Sequence, residues 1–207
     1  MARRTRSRES FRRRPGQKSP RAVTLIVCEG DTERVYFEAL RIRLHLNRTE
    51  VVLPGSPGSA PITVVDYALE KNKEPGGYDF IYCVFDRDQH ESFERALNKL
   101  RANAKRHPLH AAVSIPCFEY WLLLHFEHTD APFQNCDNVI VRLGGHMAGY
   151  SKTDSNQIEA ILDRVEQALE RAQILFPDPA ASLDNPHTSA HRLVRHLKDI
   201  AAQEPGV

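Results

Sequence analysis

Glu29, Asp86 and Asp88 are the residues whose types and spacing can do chemistry. Glu29 follows the apolar run Ala22-Val-Thr-Leu-Ile-Val-Cys28 and opens the segment Glu29-Gly-Asp-Thr-Glu33. Asp86-Arg-Asp88 follows a second apolar run, Asp79-Phe-Ile-Tyr-Cys-Val-Phe85. In an extended backbone, residues two apart project to one side, so Asp86 and Asp88 aim at one point. Two such strands side by side would crowd three carboxylates, which repel one another unless a proton or a cation intervenes. Hard oxygen donors of this kind suit Mg2+ or Mn2+, which keep several waters and take phosphate oxygens as further ligands. A metal held this way activates water and stabilises charge on a phosphoryl group. A plainer reading stands beside it. An Asp at a strand end is commonly a turn residue, and Glu33, in the first turn of a following helix, is favoured there by the helix dipole.

The elements that must position these acids alternate along the chain. Residues 22–28 read as a strand buried on both faces, as in a central parallel strand. Glu33 to Leu46 is helical, with Val35, Phe37, Leu40 and Leu44 on one stripe. Val51-Val-Leu53 is a short strand, 54–61 a Pro/Gly/Ser loop and Ile62–Asn72 a helix. Residues 79–85 form the second strong strand, Glu91–Arg106 an amphipathic helix and Ala111–Ile115 a further strand. This order argues for βαβ units and a mostly parallel sheet, whose ligands bind beyond the carboxyl ends of the strands. From Phe118 the pattern turns helical: Phe118–Phe126, Ile158–Leu175 as the longest amphipathic stretch, and His191–Ile200, with 135–149 ambiguous around Gly144-Gly145. The expected organisation is an arm at 1–21, an α/β core at 22–128 and a helical extension of the same domain at 129–207.

Charge is unevenly spread. The whole chain of 207 residues carries +1, but residues 1–21 hold nine Arg or Lys against Glu9 alone, while the rest has 19 basic and 26 acidic residues. The arm, with Pro15, Gly16 and Pro20, offers nothing to bury and reads as disordered. It would add salt-dependent affinity for phosphate backbones, or serve as a solubility tail or a docking segment for a partner protein. No apolar run approaches the ~18 residues of a membrane span, and no apolar stretch follows the arginines to make a secretory signal. Cys28, Cys83, Cys117 and Cys136 are scattered without C-x-x-C spacing, which argues against a disulfide framework or zinc knuckle and for a reducing, cytoplasmic setting.

Other candidates each carry two readings. Glu119 either completes the metal shell from the start of a helix or is a first-turn acid stabilised by the dipole. Lys152 either holds a phosphate as a point charge or is a solvated loop lysine. Arg87 and His90 could orient water or phosphate, or sit exposed in a loop. Trp121, Leu122, Leu123, Leu124 and Phe126 are more simply core than a base-stacking platform. Asn185-Pro-His-Thr188 reads as a turn with Thr188 capping the last helix. The histidines contain no H-E-x-x-H, so a zinc site is not supported. A phosphatase of the haloacid dehalogenase type also has D-x-D after an apolar strand, but on its leading strand.

Cys28-Glu-Gly-Asp-Thr-Glu33 with Tyr36-Phe37, followed by Phe85-Asp-Arg-Asp88, resembles the toprim-like domain of topoisomerases, primases and overcoming-lysogenization-defect nucleases. Together with Ser114-Ile-Pro-Cys-Phe-Glu119-Tyr-Trp-Leu-Leu-Leu-His-Phe126, Gly149-Tyr-Ser-Lys152 and Asn185-Pro-His-Thr188, the chain more closely resembles the RloB/AbiLii family of bacterial phage-defence proteins, over about residues 18 to 200. That resemblance implies a toprim-like α/β fold and a Mg2+- or Mn2+-dependent nuclease, often encoded beside an RloA- or AbiLi-type ATPase partner. Glu29 matches the toprim glutamate, a general acid/base or metal ligand, and Asp86 and Asp88 match the metal pair. Glu33 and Glu119 match further family acids. The leading expectation is a metal-dependent phosphodiesterase acting on nucleic acid in anti-phage defence or abortive infection, with Lys152 stabilising the transition state. The alternatives are a non-catalytic nucleic-acid-binding or regulatory subunit working through the ATPase, and a phosphatase or nucleotidyl-transfer enzyme.

Overall fold

Thr24–Cys28 forms β1 with every residue buried, and the reason lies in where alternate side chains go. Leu25 and Val27 enter one hydrophobic cluster, Ile26 and Cys28 the other, so both faces of the strand are covered. β3 (Phe80–Asp86) divides the same way, Ile81, Cys83 and Phe85 against Tyr82 and Val84. The computed structural model describes residues 22–55, 59–87, 91–178 and 183–203; the basic arm, Asp88 and His90 lie outside the described residues.

β2 (Thr49–Val52), β1, β3 and β4 (Leu109–Ile115) are parallel in that order, and β5 (His187–Thr188) closes the edge of the sheet antiparallel to β4. The fold is α/β, a mostly parallel five-stranded sheet flanked by helices and ending in a helix. α2 (Pro61–Lys71) and α3 (Phe93–Ala104) cover one face through Val64, Val65, Ala68, Phe93, Ala96 and Leu97. Pro61 starts α2 where a missing N–H costs nothing. α1 (Asp31–Arg43), α4 (Glu119–Leu123) and α8 (Ala190–Gln203) cover the other, joined by α5 (Cys136–Gly144), α6 (Ser155–Ile161) and α7 (Val165–Leu175).

The structure departs from the sequence pattern in three places. The stretch 158–175 is not one helix: a 3-10 turn at Leu162–Arg164 separates α6 from α7, where Asp163 pairs with Arg43 of α1 and Arg164 lies over the Phe126 ring. Asn185 does more than turn the chain. Its side chain accepts from the Phe133 N–H at 3.2 Å and donates to the Phe133 carbonyl at 2.6 Å, which seats the edge strand that follows. Thr188 does assist the helix start, accepting from the Ala190 N–H at 3.2 Å, although it lies within β5. Third, Cys117 and Cys136 are joined by a disulfide with Cα atoms 5.6 Å apart, against the expectation from spacing; Cys28 and Cys83 are free and buried, as their apolar runs imply. No helix among the described residues is long and apolar enough to cross a membrane.

Candidate functional site

The tips of β1, β3 and β4 meet because the three strands are adjacent and in register, Cys28 opposite Val84 and Asp86 opposite Ser114. Glu29 continues the β1 ladder by donating its N–H to the Val84 carbonyl at 3.0 Å. Its carboxylate then accepts from the Asp86 N–H at 2.9 Å. Asp86 Oδ2 in turn accepts from the Phe118 N–H at 2.9 Å, in the connection from β4 to α4. Two carboxylate–amide bonds thus tie three strand ends in sequence.

Glu33 and Glu119 come to the same edge from helices. Gly30 is in extended backbone (φ −132°), a conformation open to any residue. A Cβ there would lie 3.0 Å from Glu33 Oε2, and the glycine keeps room for that carboxylate. Glu29, Glu33 and Glu119 are all buried, at 6, 4 and 2% exposure. Burial pushes Glu33 up to about 7, with its own main-chain N–H opposing, Glu119 adding to the rise and Lys152 offsetting it. Asp86 is raised well above the usual carboxylate range by burial, then by Glu33, Glu119 and Glu29. Asp86 Oδ1 is shielded from solvent and has no hydrogen-bond partner among the described residues.

Glu119 Oε1 is the hub of a polar network. It takes the Thr32 hydroxyl at 3.4 Å, the Tyr150 hydroxyl at 3.3 Å and the Lys152 ammonium at 3.3 Å. Partial burial works against the charge of Lys152, but Glu119, Glu33 and Asp86 outweigh it and hold the amine above its ordinary value. Gly149 (φ +66°) supplies the left-handed residue that turns the chain into Tyr150-Ser-Lys152. Burial, then Glu119, raises the Tyr150 phenol.

Glu29, Glu33, Asp86, Glu119 and Lys152 are therefore neighbours, while Asp88 lies outside the described residues. Arg87 turns elsewhere: its guanidinium donates to the Leu183 carbonyl at 3.2 Å and lies 5.9 Å from the Phe93 ring centroid. Trp121 and Leu122 to Leu124 are fully buried core. Thr32, Tyr150 and the two half-cystines carried no signal that assigned them a place here. Tyr150 sits two residues from Lys152, and that spacing was the available clue. Among the described residues, the group whose ligand atoms all lie within 4.8 Å of one another is Cys117, Glu119 and Cys136; Glu29, Glu33 and Asp86 do not close to that distance as a trio.

Searches against curated proteins and against solved structures return no match. The family model described as RloB-like protein matches residues 24–197, which spans every strand, the acid cluster and most of α8. The chain belongs to the RloB-like family.

Proposed function

We propose that the protein is a divalent-metal-dependent phosphodiesterase that cuts nucleic acid in bacterial anti-phage defence. The observation that carries this reading is Asp86 Oδ1, a buried carboxylate oxygen with no donor among the described residues, inside a cluster whose acids raise its pKa. Such a cluster is relieved by protons or by a hard cation. Glu29, Asp86 and Asp88 would hold Mg2+ or Mn2+, which when bound neutralises phosphoryl charge and acidifies water. Glu33, poised near neutrality, can take a proton at its carboxylate close to physiological pH. Lys152 donates toward a scissile phosphate from its post on Glu119, and Tyr150 and Thr32 hold that post still. The +8 arm would draw the phosphate polymer to an acidic face that would otherwise repel it. The family resemblance adds the defence setting and an RloA- or AbiLi-type ATPase partner. Incubation of plasmid DNA and RNA with Mn2+ tests the reaction: cleavage by the wild type and none by Glu29→Ala or Asp86→Ala is expected, and cleavage surviving either change overturns the assignment.

One observation favours a second reading, a non-catalytic regulatory or nucleic-acid-binding subunit. Glu29 and Asp86 each accept a main-chain N–H, so both have a structural task as ties between strand ends. On this reading, binding to the ATPase or to nucleic acid is indifferent to Glu29→Gln.

A further inference from the structure

The two oxygens of Glu119 have unlike surroundings. Oε1 takes Thr32, Tyr150 and Lys152, whereas Oε2 points the other way and lies 3.4 Å from Cys136 Sγ. That sulfur is the polar atom Oε2 meets among the described residues, and Glu119 is 2% exposed. A disulfide sulfur has no hydrogen to give. In the oxidised state a buried carboxylate oxygen therefore faces sulfur with no donor, an arrangement that carries a desolvation cost. Opening the disulfide removes that mismatch, since a thiol can donate to Oε2 and a dithiolate can share a cation with it.

We propose that the reduced Cys117–Cys136 pair and Glu119 form a binding site for a thiophilic divalent cation of the zinc class, which disulfide formation closes. One ligand atom from each of the three residues already lies within 4.8 Å of the other two. Two thiolates and a carboxylate are a donor set zinc accepts, with water completing the tetrahedron. The softness of sulfur separates this site from the all-oxygen cluster at the tips of β1 and β3. Cys117 is buried and Cys136, the first residue of α5, is partly exposed, so exchange with solvent proceeds from the Cys136 side. A thiolate at that helix end is also favoured by the dipole. The site is connected to the strand tips, because Phe118, between Cys117 and Glu119, donates its N–H to Asp86. Opening the bond with a phosphine and water gives two thiols and the phosphine oxide. Metal binding then forms two metal–sulfur bonds and releases the two thiol protons.

The test uses the full chain, reduced with a phosphine, desalted without oxygen and titrated with Cd2+ or Zn2+. The expected result is about one equivalent bound per chain, with a thiolate-to-cadmium charge-transfer band. The band is absent from the unreduced protein and from Cys117→Ser and Cys136→Ser, and affinity falls roughly tenfold or more in Glu119→Gln. Glu29→Gln and Asp86→Asn keep the band, which separates this site from the proposed carboxylate centre. Should a serine variant not fold, protection of Cys117 and Cys136 from alkylation by Zn2+ in the reduced wild type, read by mass spectrometry, decides the matter. Reduced, folded wild type that binds neither metal, or Zn2+ that leaves both cysteines open to alkylation, overturns the proposal.

Discussion

The Asp86 N–H donates to Glu29 Oε2 at 2.9 Å, so the acid at the end of β1 is a hydrogen-bond acceptor for the last residue of β3. The pair holds two strand tips in register as well as bringing two carboxyl groups together.

Glu29→Ala removes the acceptor and leaves the Asp86 N–H without it, at a cost of about 1–3 kcal/mol. Glu29→Gln keeps an acceptor oxygen and costs less, while removing the charge a cation needs. Urea unfolding should rank wild type, glutamine and alanine in that order of stability. Mn2+-dependent cleavage should be lost in both variants.

Burial raises both Asp86 and Glu33, with Glu33 adding to the rise of Asp86 and Glu119 to that of Glu33, so on the phosphodiesterase reading a bound cation should stabilise the fold. At a hundredfold excess over Kd, Mn2+ should contribute about 2.7 kcal/mol, a rise in Tm of about 5–10 °C for a chain of this size. Asp86→Asn should abolish the shift. A Tm indifferent to Mn2+ and Mg2+ in the wild type would count against the carboxylate centre.

His125 is fully buried, with Nε2 3.1 Å from the Tyr36 hydroxyl and Nδ1 3.0 Å from the Trp121 carbonyl. Both contacts are satisfied by a neutral ring that donates from Nδ1 and accepts at Nε2. Burial pushes its pKa down to about 4. Between pH 6.5 and 4 the unfolded chain binds the proton and the folded one does not, so stability is full above that window and falls as pH drops through it. The loss is about 3 kcal/mol for this ring. His187 and His191, also lowered to about 4, act in the same direction. Glu33 and Asp86, whose carboxyls are raised, act in the opposite direction as pH falls, so the ring's contribution is read as a difference: from pH 7.5 through 5.5 to 4.5 the urea midpoint of His125→Gln should gain on that of the wild type.

Lys152→Met removes the ammonium from Glu119 Oε1 and keeps a side chain of similar length. On the phosphodiesterase reading, turnover should fall on the order of 10²-fold. Retention of nucleic acid at low salt should persist, because residues 1–21 are net basic while the rest of the chain is net acidic. Equal turnover in the variant would remove Lys152 from the reaction.

Trp121 is fully buried and makes edge contacts with Tyr36 and His125. Trp121→Ala should cost about 3–5 kcal/mol, read as a lower denaturation midpoint. Any loss of nucleic-acid binding should track unfolding, since the ring is not presented to a ligand.

Much of the fold was legible in the chain. The runs Leu25–Cys28 and Phe80–Phe85 are apolar throughout because helices cover both faces of the sheet, and each is followed by an acid at the edge where parallel strands present ligands. Local period and local turn chemistry are near-neighbour properties, so strand, helix and acid tip could be read residue by residue. β5 escaped, because two residues carry no period and their pairing rests on Asn185 finding Phe133. The disulfide escaped for the same reason, since its cysteines are 19 positions apart and meet through the path of α4 into α5.

The sequence by itself determined an α/β chain with acid-tipped strands and a basic arm, since those follow from apolar runs, turn residues and charge counts. Tertiary structure alone decided which acids meet, that Glu119 faces Tyr150 and Lys152 on one side and sulfur on the other, and that Arg87 turns away. Each of those depends on chain segments 17 to 96 residues apart coming together, as in the Cys136–Glu119 and Arg87–Leu183 contacts. Spacing along a chain carries no record of such meetings; the packing of helices on the sheet creates them.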